Sequence, residues 1–400
     1  MSIVTILQLY AFYWYGTVIF LAPGIISYRG FALFTAILAV AISIIQVQKK
    51  KKIPKAMIQI AIVFLILVVL FRITPLLYGS SNDSYYSYFL VLIAQTFPAA
   101  FVASLVSHDN EIQKKVKKYL PIVALIFFVM CILAVFTYGR YRGGGGFSTD
   151  FGLNYQNSSY LAAFVSNLLF YMLITRDSVY TQRFYQLKIV SIGTPIMIAI
   201  MLFSLLSTGG RGGLVTFFIT NFFLLIITFK KYALSLKRIV TGTVVVALII
   251  IVGIFIWRWA LNANVSISGM NRIMSFFVSG DTAGRDSIYR RAIESFKESP
   301  IVGHGFGSVF YELGEYSHNI LLDAMVETGL IGSAVLITLI IFMFKRGIRL
   351  IRTDFSQCIW MLFMLQGLSN SLFSSYYLAH IPLWFGVAFL YSYNLNYQHR

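Results

Sequence analysis

Three side chains in this sequence combine the chemistry of anion capture and proton transfer. Arg211 stands in Ser207-Thr208-Gly209-Gly210-Arg211-Gly212-Gly213, Arg285 follows Gly284, and His318 precedes Asn319. A guanidinium is a planar fork that fits phosphate or carboxylate oxygens two at a time. Glycines on both sides of Arg211, Gly210 and Gly212 nearest to it, allow a close bend. Its N–H groups would form an anion-binding concavity at the start of a helix. The plain alternative is a tight hairpin with a snorkelling arginine. Imidazole is the usual proton carrier near neutral pH. After His318, the residues Asn319, Asp323 and Glu327 recur at i, i+4 and i+8 as a polar stripe down a span. Carboxylates at that depth need a cavity or a partner.

The elements that must position these groups follow from local patterning. Residues Gly284 to Glu298 read as a helix, with Asp281 or Thr282 as its cap and Ser299-Pro300 as its end. Ile288, Ala292, Ile293 and Phe296 are expected to form its apolar face. Arg285 falls in the first turn, where a cation opposes the helix dipole. Helix stability therefore does not explain it. A bound anion would, and so would a local pair with Asp281 or Asp286. Gly303-His304-Gly305-Phe306-Gly307 lacks the strand and helix of a dinucleotide fingerprint. It reads as a tight bend that lets backbone and substrate come close.

The rest of the chain is apolar. It has 400 residues, 58% of them hydrophobic and 12% charged, with a mean hydropathy of +0.78. Such a composition excludes an ordinary soluble globule and matches repeated bilayer-length runs. The fold class expected is all-α, a single polytopic membrane domain over 1–400. The candidate spans are 3–22, 30–48, 56–75, 87–107, 119–138, 159–175, 187–207, 212–229, 239–259, 319–344, 355–374 and 378–396. The first reads as a retained helix rather than a cleaved signal, since no basic region precedes it. Cys131 and Cys358 read as small buried hydrophobes, with no disulfide and no metal-ligand cluster in view.

Charge then orients the spans. The basic loops at 49–55, 108–118, 176–188, 230–238 and 345–354 all fall on one side when both termini share that side and the span count is even. Short basic loops stay in the cytoplasm. The net charge of +18 is thereby assigned to membrane orientation and not to nucleic acid. On the other side the basic residues are almost all arginine, Lys297 being the exception. Two outer segments stand out. Residues 139–158 carry four consecutive glycines and act as a gate or a plain connector. Residues 260–318 are long enough to hold structure of their own, between spans nine and ten.

Taken together, the Ser/Thr-Gly-Arg-Gly turn at 207–213, the Gly284-Arg285 helix running to Gly303-x-Gly305-x-Gly307, and His318-Asn319 leading into Glu327-Thr328-Gly329-Leu330-x-Gly332 resemble the O-antigen ligase and Wzy-type polymerase family. The resemblance covers about 207–332 by motif. It implies a GT-C-like helical enzyme in the bacterial cytoplasmic membrane with its active site facing outward. The implied donor and acceptor are saccharides on undecaprenyl diphosphate, with no metal or cofactor required. Arg211 and Arg285 would neutralise the diphosphate leaving group, and His318 would position or deprotonate the attacking hydroxyl. Asn319, Asp323 and Glu327 would support them. A chain-length regulator, a flippase and membrane lipids are the partners this implies.

Three functions compete on this basis. A polymerase of lipid-linked repeat units is preferred. A ligase moving finished glycan onto lipid A-core shares every motif. A flippase or other transporter is disfavoured, because no pair of matching halves with interrupted helices is visible.

Overall fold

The computed structural model describes residues 1–9, 28–50, 53–80, 82–138, 155–179, 188–208, 211–232, 258 and 285–394. Among them every regular element is a helix. In chain order these are α1 (Ser2–Leu9), α2 (Tyr28–Lys50), α3 (Lys55–Tyr78), α4 (Asp83–Ser107, with one π turn at Leu92–Thr96), α5 (Asn110–Tyr138), α6 (Tyr155–Val179), α7 (Lys188–Thr208) and α8 (Arg211–Tyr232). After them come α9 (Arg285–Glu298), α10 (Val309–Glu312), α11 (Ile320–Thr353), α12 (Cys358–Phe373) and α13 (Ile381–Ser392).

Six of the described helices contain segments long and apolar enough to cross a bilayer: Gly30–Lys49, Lys55–Tyr78, Asp83–Ser107, Asn110–Leu133, Ser158–Thr175 and Ile320–Thr353. The chain is a polytopic membrane protein. Helices also cover the expected spans 187–207, 212–229, 355–374 and 378–396, mostly as shorter pieces. The expected span 239–259, most of 3–22 and the glycine loop at 139–158 lie outside the described residues, apart from Arg258 and residues 155–158. Cys131 and Cys358 are buried free thiols, as composition suggested.

The chain divides into two compact units. The first comprises residues 1–18, 22–117 and 282–400, and the second residues 19–21 and 118–281. In the first, α13 packs against both α12 and the second half of α4. Glycines set that approach: a Cβ on Gly367 would lie 2.3 Å from the Leu383 nitrogen, and one on Gly386 2.7 Å from the Met364 nitrogen. Small residues at helix crossings let membrane backbones come together where no hydrophobic driving force exists between them. Trp360 stacks on Phe389 at 4.2 Å in the same seam. In the second unit, α6 lies against both α7 and α8.

A candidate active site at a broken helix

The apolar face of α9 is the expected one at Ile288 and Ala292, with Phe296 half-buried, but not at Ile293. Ile288, Ala292 and Ser295 are buried, and Ile293 is 43% exposed. The 4-then-3 spacing of the first three keeps them on one side. Ile293 is five residues from Ile288 and turns about 140° away at 3.6 residues per turn. The buried side of α9 faces α11. The helix starts at Arg285, and its expected caps Asp281 and Thr282 lie outside the described residues. Arg285 itself is half-buried, and it is in none of the ion pairs among the described residues.

After Ser299-Pro300 the chain docks onto α11. That helix breaks at Gly329, with φ 60° and ψ −159°. The carbonyls and N–H groups freed around the break are taken up by the 300–305 segment. His304 N–H donates to the Val326 carbonyl at 2.9 Å and Gly305 N–H to that of Glu327 at 2.8 Å. In return Leu330 N–H donates to the Pro300 carbonyl at 2.8 Å and Ile331 N–H to that of Ile301 at 3.2 Å. A Cβ on Gly303 would meet the Glu327–Thr328 peptide at 2.4 Å, and one on Gly329 the Ile301 backbone at 2.4 Å. The glycines were expected to bring backbone to substrate. Gly303 and Gly329 bring two stretches of backbone together, and their positive φ values suit that contact, while Gly307 lies against the Tyr85 and Phe71 rings.

The polar stripe on α11 is internal. Asp323 and Glu327 are fully buried. Glu327 Oε1 accepts from Gly307 N–H at 2.9 Å and from the Tyr376 hydroxyl at 2.6 Å, and Oε2 accepts from the Tyr377 hydroxyl at 2.8 Å. Asp323 Oδ1 accepts from Ser317 N–H at 2.6 Å. Asn319 caps α11, its side chain accepting from Leu321 and Leu322 N–H. Glu327 thus anchors the glycine bend and the 376–377 turn, Asp323 holds the backbone of Ser317 next to His318, and Asn319 caps the helix.

Aromatic side chains fix the bend from the other flank. Pro75 inside α3 cannot donate to the Phe71 carbonyl, and the Tyr85 hydroxyl donates to it instead. Thr74 Oγ1 donates to the Phe306 carbonyl at 2.7 Å, and Asn82 to that of Phe310 at 2.7 Å. Phe71, Tyr85, Tyr88, Phe310, Tyr316 and Tyr376 form a continuous ring cluster beneath.

His318 emerges from this frame with φ +63°, the one positive value at a non-glycine among the described residues. The left-handed region is uncommon for such a residue and is found at functional sites. Its ring meets Tyr316 edge-on at 4.4 Å. Nδ1 lies 3.3 Å from the Ser374 carbonyl, and Nε2 lies 3.8 Å from a Glu315 carboxylate oxygen. A carbonyl only accepts, so Nδ1 carries the proton and Nε2 has the lone pair of a base. Burial, chiefly, pushes the imidazole pKa below its ordinary 6.5; the Ser374 carbonyl and Glu315 act against this, and the nearby Arg285 charge adds to it. Neutral imidazole is therefore favoured at neutral pH. Sequence reading did not single out Glu315, Tyr316 or Ser374. Glu315 and Tyr316 were legible as neighbours of His318, but Ser374 is brought in only by the turn after α12.

Arg211 belongs to the second unit and is the first residue of α8, half-buried. Gly212 and Gly213 are helical residues packed against α6. A Cβ on Gly212 would sit 2.0 Å from the Tyr160 hydroxyl, and one on Gly213 2.0 Å from Ser159 Oγ. Close helix contact accounts for both glycines. Gly210 lies outside the described residues.

A set of possible metal donors also appears in the first unit. One atom each from Glu298, His304 and Glu312 lies within 4.8 Å of the others. The sequence suggested no metal-ligand cluster. Folding of the glycine bend between α9 and α10 is what assembles this one.

Residues 196–337 match the family model described as O-antigen ligase. Nothing among curated proteins or solved structures matches the chain. The matched stretch contains Arg211, Arg285 and His318 together with the broken start of α11. Over residues 196–337 the chain is thus similar to the O-antigen ligase family.

Proposed function

We propose that the protein is a glycosyltransferase that polymerises undecaprenyl-diphosphate-linked repeat units into O-antigen or capsular polysaccharide on the outer face of the cytoplasmic membrane. The observation that carries this is His318, whose Nδ1 faces the Ser374 carbonyl so that Nε2 presents its lone pair beside Glu315, with the half-buried Arg285 near it. Such a pair suits a reaction whose donor is already activated. The enzyme must align an acceptor hydroxyl with the anomeric carbon and stabilise the departing diphosphate. In this scheme His318 Nε2 takes the hydroxyl proton, the hydroxyl oxygen attacks the anomeric carbon, and the sugar–diphosphate bond breaks. Arg285 and Arg211 neutralise the released diphosphate. The positive end of the α8 dipole, where Arg211 stands, suits the same anion. Expected sidedness is that of the basic loops, with both termini cytoplasmic.

A ligase is the second reading, favoured by the family description itself. Single replacement of Arg211, Arg285 and His318, followed by gel analysis of cell glycans, separates the two. Loss of polymerase activity leaves single repeat units on the final acceptor. Loss of ligase activity leaves long polymer on the lipid carrier. Trapping of single units on the inner leaflet would instead indicate a flippase, and unchanged ladders from all three variants would remove the catalytic assignment.

A further inference from the structure

We infer that Glu298, His304 and Glu312 form a binding site for one divalent transition cation, of the zinc type, that clamps the glycine bend. The three donors come from three segments: the last residue of α9, the Gly-His-Gly bend and the last residue of α10. They line an open cavity of about 680 Å³ together with Tyr78, Gly303 and Gly305. His304 Nε2 lies 2.9 Å from the Ser295 carbonyl. A carbonyl only accepts, so Nε2 carries the proton and Nδ1 presents a lone pair. That lone pair faces Glu312 Oε1 at 3.8 Å. A lone pair and a carboxylate facing each other, with a second carboxylate close by, are an arrangement that a cation between them stabilises.

The surroundings have the form of an outer coordination shell. The imidazole is fixed by a backbone carbonyl on its far nitrogen, which is how metal-bound histidines are oriented. Glu312 is held by the Tyr78 hydroxyl on Oε1 and by Ser295 Oγ at 3.3 Å on Oε2. Glu298 is exposed, with a carboxylate oxygen within 4.8 Å of the other two donors. One imidazole and two carboxylates suit zinc, whose bonds to such donors are about 2 Å, and water completes the tetrahedron. Purely oxygen-seeking calcium and magnesium fit less well because of the nitrogen. A bound ion would tie the outer ends of α9 and α10, and through Tyr78 the end of α3, to the bend. Its role is bracing, since none of these groups belongs to the His318 cluster.

The test uses full-length protein in lipid nanodiscs, purified with a tag that contains no histidine, stripped with chelator and then given zinc chloride. Retained zinc is measured after desalting, and thermal unfolding is followed with and without zinc. One zinc per chain and a higher unfolding midpoint with zinc are expected. His304→Gln and Glu298→Gln should each weaken uptake by about tenfold or more, while His318→Gln retains it. Absence of retained zinc, or equal uptake by the native protein and both site variants, overturns the proposal. So does loss of uptake in His318→Gln, which would assign the ion to the other histidine. Glu298→Gln alters only an exposed side chain, so it decides the matter even where His304→Gln fails to fold.

Discussion

The bend at 303–307 and the start of α8 at 211–213 are both glycine-rich, yet they solve different physical problems. In the bend, positive φ at Gly303 and Gly305 and at the facing Gly329 lets two backbones exchange hydrogen bonds across a broken helix, and Gly307 N–H reaches the Glu327 carboxylate. At the start of α8, Gly212 and Gly213 have ordinary helical geometry, and their missing side chains make room for Tyr160 and Ser159. A glycine cluster is thus no anion nest by default. In one region the requirement is on dihedral angle and space together, and in the other on space alone.

Activity gives the sharpest test of how the two regions relate. His318→Ala should lower the rate of glycan transfer from a lipid-linked donor by about 10²- to 10⁴-fold, the usual worth of a positioned acid–base group. Arg211→Ala and Arg285→Ala should each cost about 10²-fold or more, as lost electrostatic stabilisation does. If both arginines hold one diphosphate, the double variant loses much less than the product of the single losses. Strict multiplication of the two effects would separate the regions functionally.

Stability should divide the glycines in the same way. Gly329→Ala has both a forbidden dihedral and a backbone clash, and should cost about 3 kcal/mol or more. Gly212→Ala keeps a helical dihedral and meets the buried Tyr160 side chain, not backbone, and should cost about 1–2 kcal/mol. Thermal unfolding in nanodiscs reads both, and equal losses would erase the distinction drawn here. Glu327→Gln leaves one of three donors facing an amide and should cost about 1–3 kcal/mol, with Tyr376→Phe and Tyr377→Phe below it.

Smaller effects bear on His318. Replacing it with glycine relieves the left-handed backbone, so the fold should hold or gain about 1 kcal/mol while activity disappears. A large loss of stability would instead make His318 a structural residue. In pH–rate profiles the acid limb should lie below 6.5, because burial favours the neutral base. Removal of the positive charge in Arg285→Gln should move that limb upward, and removal of the negative charge in Glu315→Gln downward. The opposite order would mean that the titrating group is not His318.

Much of this was legible in the chain itself. Apolar runs of bilayer length fixed the all-helical membrane class, because a hydrocarbon environment leaves a backbone few other ways to satisfy its hydrogen bonds. The order of Arg211, Arg285 and His318 within glycine- and asparagine-marked motifs named the candidate residues, and the stretch that holds them matches the O-antigen ligase model. Tertiary structure decided the rest. The apolar face of α9 runs through Ser295 and not Ile293, since neighbours and not hydropathy choose the buried side. Asp323 and Glu327 became loop anchors because folding delivered Ser317, Gly307, Tyr376 and Tyr377 to them, and partners so distant in sequence leave no periodic trace. The turn after α12 brings Ser374 beside His318, and Glu298, His304 and Glu312 gather because a break at Gly329 opens backbone groups that the remote 300–305 segment closes.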